Sequence, residues 1–303
     1  LGNKVTVLDL MIYGEDVLEN DKNLKKIKGD IRDINLLEKI LPNHEVVIHL
    51  ACISNDPSYE LNPTLGKSIN FDAFEPLVKI SRKNNINRFI YASSSSVYGI
   101  KKEKDVTEDM SLEPLTDYSK FKGECEKILN TYKSDDFITT TIRPSTVCGY
   151  AKRQRLDLVV NILTNHAFHN RSITVFGGNQ LRPNIHINDM VDSYISILKA
   201  EPKKINGEIF NVGYRNQSVN ELAEDVKKII GDDVKIFNSK SDDNRSYHVS
   251  SKKIDEILGF KTKLTIRDAV SDLQNAFKNK LLTNTFQNEN YFNIKRMQSI
   301  KLI

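Results

Sequence analysis

Val46-Val47-Ile48-His49-Leu50-Ala51 is an almost unbroken apolar run. A strand with one wet face alternates apolar and polar residues. A run like this one is expected where both faces are covered, as in a parallel sheet with helices on either side. Arg88-Phe89-Ile90-Tyr91-Ala92 has the same character and feeds into Ser93-Ser94-Ser95-Ser96-Val97-Tyr98-Gly99, a hydroxyl-rich turn closed by glycine. Helical stretches are expected over 68–84 and 117–132. In an open α/β sheet, ligands bind beyond the carboxyl ends of the strands. The serines fall there, and the fold class expected is α/β.

Downstream stands Tyr118-Ser119-Lys120-Phe121-Lys122. On a helix, Tyr118 and Lys122 lie one turn apart on the same face. A phenol ordinarily ionises near pH ~10, and an ammonium group beside it favours the phenolate. Tyr118 is therefore expected to act as a base near neutral pH. The pair alone also occurs on many solvated helix faces; the strand and serine turn upstream give it meaning.

Ser94, Tyr118 and Lys122, together with that strand and turn, resemble the Ser/Thr, Tyr-x-x-x-Lys constellation of extended short-chain dehydrogenases/reductases, the NAD-dependent nucleotide-sugar epimerase and dehydratase group typified by UDP-glucose 4-epimerase. Counting back from Val97-Tyr98-Gly99 puts the active hydroxyl at Ser94, with Ser93 as the fallback. The resemblance implies a Rossmann-type doubly wound parallel sheet over 1–149, a smaller α/β lobe over 150–280 that mainly binds substrate, and a tail, 281–303, whose chemistry no motif indicates. It further implies NAD as cofactor and a homodimer built on the helices over 68–84 and 117–132.

Lys4-Val5-Thr6-Val7-Leu8-Asp9 reads as a buried strand ending in an acid. In dinucleotide-binding folds such an acid follows a Gly-rich fingerprint by ~20 residues and bonds the adenosine ribose. No such fingerprint precedes Asp9 here. The expectation is that the first strand, phosphate loop and helix are missing from this chain, a strand that the order 3-2-1-4-5-6 places centrally. By resemblance, Asp30 and Ile31 in Gly29-Asp30-Ile31-Arg32-Asp33 hold the adenine, and Ala51 is the small residue over which the cofactor passes. His49 reads as a core histidine, and Asn70 matches an asparagine that pins the helices of the site.

For the substrate, Arg182 in Arg182-Pro183-Asn184-Ile185-His186 and Arg245 in Asp242-Asp243-Asn244-Arg245 are candidates for a diphosphate, because guanidinium forks match phosphate oxygens. Thr146, Asp157, Leu158 and Phe176 fall where relatives contact sugar and base. Strands are expected over 24–28, 138–142, 172–176 and 208–212, and helices over 155–168, 188–200 and 218–230.

The 303 residues carry a net charge of +4 and no long block of like charges, so nothing calls for nucleic acid or a membrane. Three cysteines without metal spacing fit a reducing cytoplasm, and no metal site is expected. The chemistry implied is proton removal from a sugar hydroxyl, at C4, by Tyr118, with hydride passing to NAD. Dehydratases of the group carry an Asp-Glu pair after the active hydroxyl; Ser95-Ser96 stand there in this chain. A nucleoside-diphosphate-sugar 4-epimerase is therefore the first expectation. The alternatives are a 4-oxidase or ketoreductase with the same triad, or a Rossmann-type binding protein that has lost catalysis.

Overall fold

The computed structural model describes residues 1–103, 105–240, 246 and 248–302. β1 (Val5–Asp9) pairs in parallel with β2 (Leu24–Lys28). Asp33 then caps α1 (Ile34–Ile40) by accepting from the Leu36 N–H, satisfying one of the amides a helix start leaves open. β3 (Val46–His49) comes next, and the chain turns through α2 (Asp56–Tyr59), α3 (Pro63–Lys67) and α4 (Phe74–Lys83) before β4 (Arg88–Ala92). α5 (Asp117–Thr131) is capped by Thr116, and β5 (Ile138–Pro144) completes the first half.

β3, β4 and β5 form a parallel sheet whose fourth strand, β9 (Glu208–Val212), comes from much later in the chain. Both apolar runs form parallel strands, but only β4 is largely buried; β3, expected to be covered on both faces, is half-buried, with Ile48 and, just beyond the strand, Leu50 exposed, and β1, also expected to be buried, is at most half-buried. Among the described residues, no strand pairs with the outer edge of β1 or of β3. β1 and β2 thus form a sheet of their own, separate from β3, β4, β5 and β9. Val5 of β1 and Ile48 of β3 are exposed apolar side chains.

The expected helix over 68–84 is not continuous. Residues Ser68–Asp72 form a π turn, and a regular helix begins only at Phe74. Pro76 is the reason: without an N–H it cannot bond back to residue 72, but it is tolerated in a first turn.

The remaining elements are β6 (Thr146–Cys148), α6 (Val159–Asn170), β7 (Ser172–Phe176), β8 (Leu181–His186), α7 (Ile187–Lys199), α8 (Pro202–Ile205), β10 (Arg215–Ser218), α9 (Val219–Ile230), β11 (Lys235–Ser239), α10 (Lys252–Leu258), α11 (Ile266–Lys278) and α12 (Asn293–Ser299). β10, β8 and β6 make one small sheet, and β7 with β11 another. α6 starts at Val159 rather than 155, since Arg155 and Asp157 pair with each other in an extended approach to the helix. β9 and α10 pack with β5 and α7, so part of the later chain belongs to the first half's core. Among the described residues, no helix is long and apolar enough to cross a membrane.

His49, the last residue of β3, is buried, its ring stacked on Tyr91 at 5.8 Å and beside Phe74 at 5.6 Å. Burial, with the charge of Lys122 second, pushes its imidazole down to about 3 from the usual 6.5. The unfolded chain binds this proton below about pH 6.5 and the folded chain does not until about 3. The stability His49 provides is whole above that range and drains away as pH falls through it. A His49→Phe variant should show urea-unfolding free energies that decline less between pH 6.5 and 4 than the parent's, by up to about 1.4 kcal/mol per pH unit. Parallel curves for the two proteins would refute this.

Candidate active site

The hydroxyl-rich stretch becomes a single tight turn at the carboxyl end of β4. Residues Ser95–Tyr98 wind into a 3-10 turn capped by Ser94, whose hydroxyl accepts from the Ser96 N–H at 3.1 Å. Gly99 closes it at φ 65°, where a side chain would also strike the Glu113 carbonyl. The Ser94 hydroxyl lies 2.8 Å from that of Ser96, which accepts from the Ser119 hydroxyl at 2.9 Å. A chain of hydroxyls thus joins the Ser94 turn to the first turn of α5, beside Tyr118. Ser93, the fallback, donates to Glu126 and points away into the core.

Glu126 is the acceptor in a buried pair with Arg143 of β5: Nη2 donates at 2.6 Å and Nε at 3.0 Å, and both side chains are under 5% exposed. Arg143 also donates to the Tyr98 hydroxyl at 2.6 Å, and Tyr98 donates to Asn211 of β9 at 2.8 Å. β4's turn, α5, β5 and β9 are held by one polar network. Sequence reasoning missed it, because an acid on a helix ordinarily reads as a solvated face.

Lys122 lies one turn after Tyr118, as the spacing requires, with its Nζ 5.9 Å from the Tyr118 ring centre and 5.1 Å from that of Tyr91. It donates to the Ala92 carbonyl at 2.7 Å. The expectation of a base near neutral pH needs correcting. Burial raises the Tyr118 pKa above its ordinary value, and the pull of Lys122 opposes that rise without overcoming it; Cys52 and Asp56 push the same way as burial, and the Asn55 backbone N–H works against them. Desolvation wins because the phenol, only 8% exposed, has lost most of its water.

Asp9, Asp30, Ile31 and Ala51 all fall at the carboxyl ends of β1, β2 and β3, where a dinucleotide's adenosine end would lie. The Asp9 carboxylate accepts from the Met11 N–H at 2.6 Å and remains exposed. The second acid, Asp30, is paired with Arg32, which holds its carboxyl below the usual range. Ile31 is buried with Ile53, Ile69, Ala73 and Met297, and Ala51 packs on that group. Carboxylates at the ends of these strands and Lys122 on α5 form a set that would suit NAD. Asn70, expected to pin the helices of the site, instead ties the π turn to the loop after β3: its side-chain amide accepts from the Ile53 N–H at 2.8 Å and donates to the Ile53 carbonyl at 2.9 Å.

The substrate candidates separate into two groups. Phe176 and Arg182 line one cavity of about 390 Å³ with Val159, Ile162 and Thr174, next to Leu158 at the start of α6. Ser246 docks on β8 there, accepting from the Leu181 N–H at 3.0 Å; Arg245 lies outside the described residues. Asp157 belongs to another cluster, bonded to Arg155 at 2.8 Å and to the Asn293 N–H at 3.0 Å. Thr146, half-buried on β6, touches neither group among the contacts described. Asn293 had no sequence signal at all.

The model of the NAD dependent epimerase/dehydratase family matches residues 2–213. The chain is 29% identical to the UDP-glucose 4-epimerase of Lactobacillus helveticus, with 86% of each chain covered. It is 24% identical to the dTDP-D-glucose 4,6-dehydratase of Homo sapiens, covering 84% of this chain and 75% of that one. The UDP-glucose 4-epimerase of Thermotoga maritima, solved with UDP-glucose, superposes with a TM-score of 0.84 at 23% identity, covering 93% of each chain.

Removing one partner of a buried ion pair leaves the other charge uncompensated, at about 3–5 kcal/mol. Glu126→Ala should lower the urea-unfolding free energy by that amount, because Arg143 is then stranded under the serine turn. A loss below about 1 kcal/mol, the range of an exposed pair, would contradict the role given to this network.

Proposed function

The chain belongs to the NAD dependent epimerase/dehydratase family, its cofactor is NAD, and from that premise we propose that it is a nucleotide-sugar 4-epimerase working through a transient 4-keto sugar. The observation that carries the reading is the hydroxyl chain Ser94–Ser96–Ser119, which sets a serine turn against the helix bearing Tyr118 and Lys122. When bound, NAD supplies the acceptor and donor of the hydride. In this reading Tyr118 acts in its phenolate form and takes the proton from the C4 hydroxyl, Ser94 hydrogen-bonds the reacting oxygen, and Lys122, whose charge opposes the effect of burial on the phenol, stabilises the phenolate.

The two residues after Ser94 favour epimerisation over dehydration. Ser95 and Ser96 are buried hydroxyls, which cannot act as the acid and base that remove water at neutral pH. Glu126, the carboxylate bonded to Ser93, is committed to Arg143. The likeness to the human dehydratase concerns the scaffold and the oxidation step that both reactions share. A 4-oxidase or ketoreductase would use the same triad and differs only in whether the keto sugar leaves.

The cavity at Phe176 and Arg182 supports a diphosphate and base site in the second lobe, and the homologues' names point to UDP- or dTDP-linked hexoses as the class to test. α5 packs beside the π turn, Phe71 against Phe121 at 4.8 Å. This pairing is compatible with a helix-based homodimer.

The test is a panel of nucleotide sugars with catalytic NAD, following anomeric protons by NMR and NADH by absorbance together. A new anomeric signal without accumulating NADH is the expected outcome. NADH rising in step with sugar loss would replace the epimerase by an oxidase. Tyr118→Phe should lose at least about 10²-fold in turnover, the lower end of what general-base assistance contributes, while still binding the nucleotide sugar in calorimetry. Unchanged turnover in that variant would sink the mechanism.

A further inference from the structure

The tail has no readable motif, yet it docks on the loops beyond three strand ends. Beyond β1, Arg296 donates to the Ile12 carbonyl and the Tyr13 hydroxyl donates to Asn293 at 2.8 Å. Beyond β2, Met297 is 3% exposed in one apolar cluster with Ile31, against which Ala51 and Leu302 also pack. Beyond β3, the Asn293 amide donates to the Ser54 hydroxyl at 3.1 Å. The loops it meets begin at Asp9, Asp30 and Ala51, the positions at which the adenosine end of NAD is expected.

The same segment is anchored in the second half of the chain. Arg153 donates to Asn293 and stacks on the Tyr13 ring, 3.6 Å from its centre. The Tyr291 carbonyl accepts from the Leu156 N–H at 2.9 Å, and the Asn293 N–H donates to Asp157 at 3.0 Å. A primary amide offers two donors and one acceptor oxygen with two lone pairs. That of Asn293, 4% exposed, spends them on the loop after β1, the loop after β3 and the approach to α6. Past α12 the chain doubles back, with Lys301 at φ 55° and the Leu302 N–H donating to the Met297 carbonyl at 2.9 Å. This return brings Leu302 onto the cluster that holds Met297.

We propose that residues 291–302 are a clasp on the adenosine half of the NAD site. Met297 and Leu302 complete its apolar wall beside Ile31 and Ala51, while Asn293 and Arg296 latch the segment to the loops after β1 and β3. The cofactor leaves only when this segment lifts. A 4-epimerase returns the hydride to the sugar that gave it, so a cofactor lost in the reduced form would strand a keto sugar. That use of the clasp rests on the function proposed above; the docking of the tail does not.

The full chain with NADH gives readouts that need no sugar. With NADH at about ten times its Kd, hydrogen exchange of the amides in 293–302 should slow about tenfold, because lifting the tail then competes with bound cofactor. NADH release, followed by its fluorescence on mixing with excess NAD, should be about tenfold faster in Asn293→Ala and in Met297→Ser. Arg171→Ala, which breaks a surface pair with Asp233 in the second lobe, should leave release unchanged. Amides of β4 and α5 should keep their protection in all three variants, which separates a loosened clasp from a loosened fold. The proposal fails if tail exchange is the same with and without NADH, if both tail variants release NADH at the parent's rate, or if Arg171→Ala speeds release equally. It fails too if faster release comes only with lost protection in β4 and α5, or if the chain holds no NADH. A protected tail and slow release with no turnover across the sugar panel would keep the clasp and discard the epimerase reading instead.

Discussion

The site depends on a charge pair that water never reaches. Taking Arg143 and Glu126 out of solvent costs several kcal/mol for each ion, and their attraction repays that only if the remaining donors and acceptors are also satisfied. They are: Ser93, Tyr98 and the Glu108 carbonyl complete the set. Satisfaction has a geometric consequence. Ser93 cannot turn toward the crevice while it serves Glu126, so the next residue, Ser94, carries the outward hydroxyl. The same pair fixes the distance between β5 and α5, and with it the place of Tyr118.

Short-range pattern was legible in the sequence. β3 and β4 follow from apolar runs, and β5 from a β-branched stretch, both local signatures of a strand. The Tyr118 to Lys122 relation follows from helical period alone. Features that depend on partners far along the chain were not legible. Glu126 looks like any acid on a helix until β5 brings Arg143 to it, and Asn293 meets Ser54 across 239 positions. The break in the helix over 68–84 was local and available from Pro76, whose missing N–H should have divided it.

The ionisation of Tyr118 shows why spacing is an incomplete guide to chemistry. A lysine four residues on favours the phenolate, but the packing that brings the two together also removes the water that would solvate it. Tyr59, Phe121 and Phe71 pack around this helix face, and Lys122 shares its charge with the Ala92 carbonyl and the Tyr91 ring. Burial therefore wins, and the phenol keeps its proton above the ordinary pH range of a tyrosine.

The loop after β3 is fixed with the same completeness. Three consecutive residues are held by separate side chains: Ile53 by Asn70, Ser54 by Asn293, and Asn55 by its own cap on α2. Asn293 also accepts from Tyr13 in the first half of the chain and from Arg153 in the second, and its backbone donates to Asp157. The unusual backbone of Asn55 persists because its neighbours leave it no alternative. α2, which follows that loop, sets the Tyr59 ring 6.4 Å from that of Tyr118, so residues far apart in the sequence converge on the segment beside the phenol.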